Sequence, residues 1–390
     1  MPAAKSGTIL RPSGMVRAIR QRLSVLNRPP QRAEPPVQSS FGQCATSMGV
    51  ALSKLIPRKE IPTVALAGQK IAIDAFNVIY FFLSVIRDSI TGEPLKDRRG
   101  RVTSHLSGLL FRTADLLQLG MQPVYVFNGK YPDIKRKTVE DRREARKAAE
   151  RKWQHAVRMG QPALRYAQAA THIDADIVAG SKTILELMGV PWIQAPSEGE
   201  AQCSWMCRQN LVFATASQDF DSLLFGSSRL VRNLAGAADR YRPAQNDVSC
   251  LDPELIELDE VLTTLAITRE QLILVGLLIG TDYNEGVKGV GPVKALNAVK
   301  DHGTLENILR HFRFPGRVDL RKIYQFFVDP PHTADCPMEW KPPRVEQIFD
   351  FLVGQHDFAF ARVQGALAKL QAARLCASAR TDEHHPQAGA

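Results

Sequence analysis

Paired cysteines are missing from this sequence. Its six cysteines, Cys44, Cys203, Cys207, Cys250, Cys336 and Cys376, are scattered through 390 residues without one C-x-x-C. That excludes a cysteine zinc framework and a disulfide scaffold, and it fits a reducing, intracellular setting. Cys203 and Cys207 stand at helical i, i+4 spacing, which packing alone explains. Long apolar runs are missing as well: no stretch reaches the ~18 residues of a spanning helix, so no membrane role is expected. The N-terminus also lacks the apolar centre of a secretory signal.

Acid is scarce in two places. Residues 1–47 hold seven basic side chains against Glu34 alone, and Lys130 to Arg158 holds eleven basic against five acidic. Each stretch is net +6 in a chain of net +10, so the remainder is slightly acidic. A basic segment beside an acidic remainder suits a metal-dependent enzyme acting on nucleic acid, although a solvated helix face would show the same charges.

Residues 1–47, rich in Arg, Pro, Ser and Gln, are expected to be a disordered basic extension or the product of a start placed upstream of the true one at Met48. From Met48 strand and helix patterns alternate. KIAID, PVYVF, VPWIQA and VFATAS read as strands, and NVIYFFLSVIRD, TSHLSGLLFRTADLLQLG and DADIVAGSKTILELMG read as helices. A polar helix is expected from about Ile134 to Met159, and mostly helix beyond Leu255. The fold class is therefore α/β, with a mainly parallel central sheet, helices on both faces and a C-terminal helical region. The expected division is 48–146, 147–305 and 306–375 within one compact domain, followed by a polar tail at 376–390.

The chemistry gathers where strands end. Asp74 follows KIAI, Asn128 follows PVYVF, and Asp219 and Asp221 follow VFATAS. In open α/β sheets ligands bind outside that carboxyl edge. Glu198 and Glu200 follow VPWIQA, although Ser197-x-x-Glu200 also spells a capping box that would need no function. Asp282 follows QLILVGLLIG. Two carboxylates ~5 Å apart at an effective dielectric of ~20 repel by roughly 3 kcal/mol. Acids converging on one rim therefore call for hard cations, and an all-oxygen donor set points to Mg²⁺ or Mn²⁺. Lys135 and Arg142, two helical turns apart, would project on one face.

IAIDAFN, TSHLSGLLFRT, PVYVFNGK, APSEGEAQC, SQDFDSLLFG and GTDYNEGVKGVGP, in that order, resemble the flap structure-specific endonucleases of the 5′-nuclease superfamily, in their archaeal form. The resemblance runs from Met48 to about residue 372. It implies an Mg²⁺-dependent hydrolase of replication and repair that cuts one phosphodiester of branched DNA near a 5′ flap, by two-metal in-line displacement. A 5′–3′ exonuclease activity can accompany it. It implies metal ligation by Asp74, Glu198, Glu200, Asp219, Asp221 and Asp282, and by Asn128, whose carbonyl oxygen can still ligate a hard cation at a position where the family writes Asp. Lys135 and Arg142 match the basic pair at the scissile phosphate, Tyr80 an aromatic on which a base stacks, and Arg87 a further DNA contact. EGVKGVGPVKAL resembles the hairpin of a helix-hairpin-helix module, in which Gly286, Lys288, Gly289, Gly291 and Lys294 would grip duplex DNA. A K⁺ ion would sit on carbonyls near Gly286, Val287 and Val290.

Three departures bear on these expectations. Asn128 removes one negative charge, so metal is expected to bind less tightly, and a DNA-binding protein with weakened catalysis is the competing reading. Gly49, whose counterpart lies near the family's active site, is preceded here by 48 residues. The sliding-clamp peptide of the family is not visible in ARLCASARTDEHHPQAGA, so a clamp partner is expected from family alone. The enzyme is expected to act as a monomer inside the cell, at the nucleoid.

Overall fold

The computed structural model describes residues 50–88, 91–161, 163–234, 240–242, 247–249, 252–316 and 318–382. The expectations about residues 1–47, Met48, Gly49 and the end of the 376–390 tail fall outside these.

A seven-stranded sheet carries the molecule. Its strands are β1 (Lys59–Glu60), β2 (Lys70–Asp74), β3 (Gln122–Phe127), β4 (Trp192–Gln194), β5 (Ala214–Ala216), β6 (Arg229–Arg232) and, after the separate hairpin of β7 (Arg240–Arg242) and β8 (Asp247–Ser249), β9 (Glu254–Glu257). The spatial order is β1-β9-β6-β5-β2-β3-β4. The five strands from β6 to β4 run parallel, with Asp74 level with Val126 and Ile73 level with Ala216. β9 and β1 add an antiparallel edge, pairing Leu230 with Ile256 and Lys59 with Leu255. The sequence suggested helix beyond Leu255. ELIE instead forms β9, because Ile256 buries against the helical core beside Leu230.

Alternation along the central strands explains why both faces are covered. In β2 Ile71 and Ile73 point to one face and Ala72 to the other; in β3 Tyr125 and Phe127 oppose Val124 and Val126. Period-2 apolar residues on both sides demand two helical layers, since each fully buried Ile, Val or Leu side chain stabilises by roughly 1.5–3 kcal/mol.

One layer holds helices α1 (Ala75–Val85) and α2 (Ser104–Gln118). The basic helix α3 (Arg136–Arg158) buries only Ala149 and Ala156 and runs toward the short α4 (Leu164–Ala169). Helix α5 (Ala175–Leu187) returns to the sheet. The other face is covered by α6 (Gly199–Arg208), whose Cys203, Met206 and Cys207 lie on Ala72, Val124 and Val126. The cysteine pair is packing, as its spacing suggested.

The short α7 (Asp221–Leu224) leads into a helical region made of α8 (Leu258–Leu265), α9 (Arg269–Ile279), α10 (Pro292–His302), α11 (Leu305–His311) and α12 (Leu320–Val328). Between α9 and α10 lies a hairpin of β10 (Gly280–Thr281) and β11 (Asn284–Glu285). After α13 (Val345–Phe349), the last helix α14 (Phe360–Asp382) packs Val363, Ala366, Leu367 and Leu370 into the core that holds Leu106 and Leu109 of α2. β2 and β3 come from the first sequence region and β4 and β5 from the second, so the expected boundary at 146 divides the sequence without dividing the sheet. No single helix among the described residues is long and apolar enough to cross a membrane.

Candidate active site

Asp74 does two jobs at the end of β2. Its Oδ1 accepts the Phe76 and Asn77 N–H groups at 2.9 and 3.2 Å, capping α1, and the side chain stays 8% exposed at the carboxyl edge of the sheet. The next parallel strands end in the same place. Asn128 follows β3, Asp219 lies three residues past β5, and Asp221 is the first residue of α7. Glu198 and Glu200 sit at the start of α6, and Asp282 at the tip of the β10–β11 hairpin.

The expected capping box does not form. Glu198 occupies the cap position of α6 with no side-chain hydrogen bond to the helix, and the buried Ser197 hydroxyl has no partner. Glu200 points elsewhere: its Oε1 accepts the Ser222 N–H at 3.0 Å and the Ser222 hydroxyl at 2.5 Å.

Electrostatics links acids that come from different strand ends. Burial, opposed by the bonds from Asn77 and Phe76 and reinforced by Asp219 and Glu198, pushes Asp74 up to about 7. Burial and Asp282 raise Asp219 to about 6, while Arg142, Arg232 and Lys135 pull it down. Burial and Asp282 lift Asp221 to about 8 against the Val50 N–H, which Asp221 Oδ1 accepts at 2.8 Å. Burial, Asp221, Asp219 and Asp74 hold Glu200 well above the glutamate range. Buried Tyr283 feels Glu198, Asp221, Asp282 and Glu200 together. Asp74, Glu200, Asp219 and Asp221 are thus each raised by burial and by neighbouring acids of the set, Glu198 and Asp282 among those neighbours.

Two cations reach the rim. Lys135 Nζ stands 3.0 Å from Glu198 Oε1 and 3.3 Å from Asp282 Oδ2, and Arg142 stands 2.5 Å from Asp282 Oδ1. Burial alone would lower the Lys135 pKa, but Glu198 and Asp282 outweigh it and hold the ammonium charged. Lys135 ends a 3₁₀ turn (Asp133–Lys135) and α3 begins at Arg136, later than the expected Ile134. The seven-residue spacing still aims both cations at Asp282.

The residues fit divalent metal ions by their donor chemistry. Among the described residues no ion pair within 4.0 Å reaches Asp74, Glu200, Asp219 or Asp221, since Lys135 and Arg142 serve Glu198 and Asp282. Four mutually repelling, oxygen-only acids lacking a paired cation suit a hard cation. Among the described residues no three Asp, Glu, His or Cys side chains already close on one point.

Of the remaining expected residues, Tyr80 is half-buried on α1. The Arg87 guanidinium donates to the Gly92 carbonyl at 2.8 Å and to the Thr171 hydroxyl, tying the loop after α1 to the end of α4. At the hairpin, a Cβ on Gly286 would lie 2.0 Å from the Ile279 carbonyl oxygen, and Gly289 takes φ +80°, so both positions require glycine. Gly291 caps α10, Lys288 and Lys294 are exposed, and Lys294 Nζ donates to the Gly289 carbonyl at 3.3 Å.

Several further participants have little or no signal in the sequence. Val50 contributes only its N–H, and Ser222 reaches Glu200 across 22 residues. Asn77 Nδ2 donates to Asp219 Oδ2 at 3.1 Å, one helical turn after Asp74. Its spacing from Asp74 was the one clue available.

Known proteins resemble this chain in sequence and in fold. Family models described as the XPG N-terminal domain and the XPG I-region match residues 48–149 and 189–282. Flap endonuclease 1 of Thermococcus onnurineus is 49% identical over 329 residues, covering 84% of this chain and 95% of that one. Flap endonuclease 1 of Pyrococcus abyssi is 50% identical over the same shares. The solved structure of flap endonuclease-1 from Methanococcus jannaschii matches with a TM-score of 0.64 and 36% identity, over 83% of this chain and 98% of that one. The catalytic core of Rad2 in complex with DNA substrate, at 23% identity and a TM-score of 0.61 over 80% of this chain and 96% of that one, shares the fold.

Proposed function

Because this chain belongs to the flap endonuclease family, we propose that Asp74, Glu198, Glu200, Asp219, Asp221 and Asp282 hold two divalent ions, Mg²⁺ or Mn²⁺, over which a branched DNA substrate is cut near its 5′ flap. The enzyme is a structure-specific flap endonuclease, a hydrolase of DNA replication and repair. The observation that carries the metal assignment is the convergence of six acids, four of them without a paired cation among the described residues.

Divalent ions bound there supply Lewis acidity for in-line displacement at phosphorus. The chain's own residues do the rest. Asn77, Val50 and Ser222 fix Asp219, Asp221 and Glu200 by hydrogen bonds, so the acids meet their ions with little reorganisation. Lys135 and Arg142, aimed at Asp282, place two positive charges where the scissile phosphate would lie, and a phosphate oxygen would draw them from Asp282. Tyr80 offers a ring for a flanking base. The α9–hairpin–α10 unit presents backbone N–H groups and the exposed Lys288 and Lys294 to duplex phosphates, and we assign K⁺ to its carbonyls near Gly286, Val287 and Val290. Arg87 adds to DNA binding through the loop it fixes. The enzyme acts as a monomer on DNA within the cell, and a sliding clamp enters the proposal through the family alone.

A labelled 5′ flap duplex with Mg²⁺ tests this. Wild type is expected to cut near the junction and Asp219→Ala to lose at least ~10²-fold in rate. Equal rates would remove Asp219 from the site. A wild type that fails to cut, beside an Asn128→Asp variant that cuts well, would favour a DNA-binding protein.

A further inference from the structure

We infer that Asn128 is a trans helix cap for α6 and not a metal ligand, so that this enzyme's metal site is built from six carboxylates with an amide donor in the seventh position. This rests on the proposed metal site.

Helix α6 lacks a cap of its own. Its four leading N–H groups need acceptors, yet the Ser197 hydroxyl is buried without a partner and Glu198 makes no side-chain capping bond. Asn128, 71 residues earlier, supplies the acceptor: its Oδ1 takes the Gly199 N–H at 2.9 Å. The contact is tight on both sides. A Cβ on Gly199 would come within 2.6 Å of that oxygen, and Gln194 Nε2 fixes the Asn128 backbone by donating to its carbonyl at 2.7 Å.

The chemistry of the carboxamide does the rest. A donor N–H on Gly199 requires the oxygen to face it, which settles the amide orientation. Nδ2, with two hydrogens and no available lone pair, can donate to a phosphate oxygen or to water but cannot ligate a cation, and the neutral Oδ1 already commits one of its two lone pairs to the Gly199 N–H, which leaves it a poor partner for a hard cation. An aspartate here would keep the cap with one oxygen and offer the other as an anionic ligand. Asn128 preserves the helix start that carries Glu198 and Glu200 while withholding that ligand.

The test uses the full chain without DNA. Mn²⁺ binding is followed by the electron paramagnetic resonance of the free ion, and melting is followed in EDTA. Asn128→Ala should lower the EDTA melting temperature by roughly 1–3 °C, the loss of a cap in a chain of this size. It should leave the Mn²⁺ dissociation constants within about threefold of wild type. Asn128→Asp should keep the cap and tighten the weaker Mn²⁺ site by about tenfold or more. Should the alanine variant fail to fold, Asn128→Ser, too short to reach Gly199, replaces it.

A tenfold loss of Mn²⁺ affinity in the alanine or serine variant would make Asn128 a ligand and overturn the inference. So would an unchanged melting temperature. If wild type bound no Mn²⁺ at all, the proposed metal site would fall and the ligand half of this inference with it, while the melting arm would still decide the cap.

Discussion

Replacing Lys135 by methionine removes the ammonium from between Glu198 and Asp282 while keeping the stem. At 3.0 and 3.3 Å and an effective dielectric of ~20, each attraction is about 5 kcal/mol gross. Desolvation of a side chain only 14% exposed offsets much of that. Breaking a buried pair while leaving its partners charged typically costs about 3–5 kcal/mol. With an unfolding entropy of ~2.1 cal/mol/K per residue over roughly 330 folded residues, Lys135→Met should melt about 4–7 °C below wild type in EDTA. Saturating Mg²⁺ should narrow the gap, because the ions then compensate Glu198 and Asp282. Cleavage should behave oppositely. A positioned cation at a transition-state phosphate is worth about 10²–10³ in rate, so single-turnover flap cleavage in saturating Mg²⁺ should fall by that factor. Differential scanning fluorimetry with and without Mg²⁺, beside single-turnover kinetics, reads both effects. An EDTA melting point equal to wild type, or a cleavage rate within twofold, would refute the role given to Lys135.

Ser222→Ala frees Glu200 from its 2.5 Å hydroxyl bond; the Mg²⁺ concentration for half-maximal cleavage should rise about 10–100-fold, with activity recovered at high Mg²⁺, and an unchanged midpoint contradicts this. The pH dependence has a definite sign. Asp74, Asp219 and Asp221, ordinarily near 3.8, are raised to about 7, 6 and 8, so the metal-free fold holds protons that the unfolded chain releases. Their contribution favours the fold below about pH 4 and is lost as pH climbs through 6 to 8. Mg²⁺ at ~100 times its Kd should therefore raise the melting temperature by about 4 °C at pH 8 and by much less at pH 5.5; a larger gain at pH 5.5 would contradict the shared pocket. Gly286→Ala drives a Cβ to 2.0 Å from the Ile279 carbonyl, so duplex affinity by fluorescence anisotropy should drop about tenfold while Mn²⁺ binding is kept.

The parallel sheet and the acids at its edge were legible because strand ends are short-range signals: KIAID and VFATAS each carry an apolar run and its terminal polar group in one stretch. β9 was not legible, since ELIE has the composition of either state and becomes a strand only beside β6. Ser197-x-x-Glu200 has the letters of a capping box, yet Glu200 bonds to Ser222, a partner that spacing cannot reveal. Asn128 was noticed as a missing charge. That its oxygen serves Gly199 depends on β3 and α6 meeting in space. Val50 acts through a backbone N–H that every residue but proline has. Arg87 is expected from the family resemblance as a DNA contact, and only the fold shows its bonds to Gly92 and Thr171.

Anomalous diffraction from Mn²⁺-soaked crystals of the full chain addresses the six-carboxylate pocket most directly. Two strong peaks are predicted, each within about 2.0–2.4 Å of carboxylate oxygens drawn from Asp74, Glu198, Glu200, Asp219, Asp221 and Asp282, with Asn128 Nδ2 outside ligand distance. A pocket without peaks in crystals that take up Mn²⁺ elsewhere would contradict it.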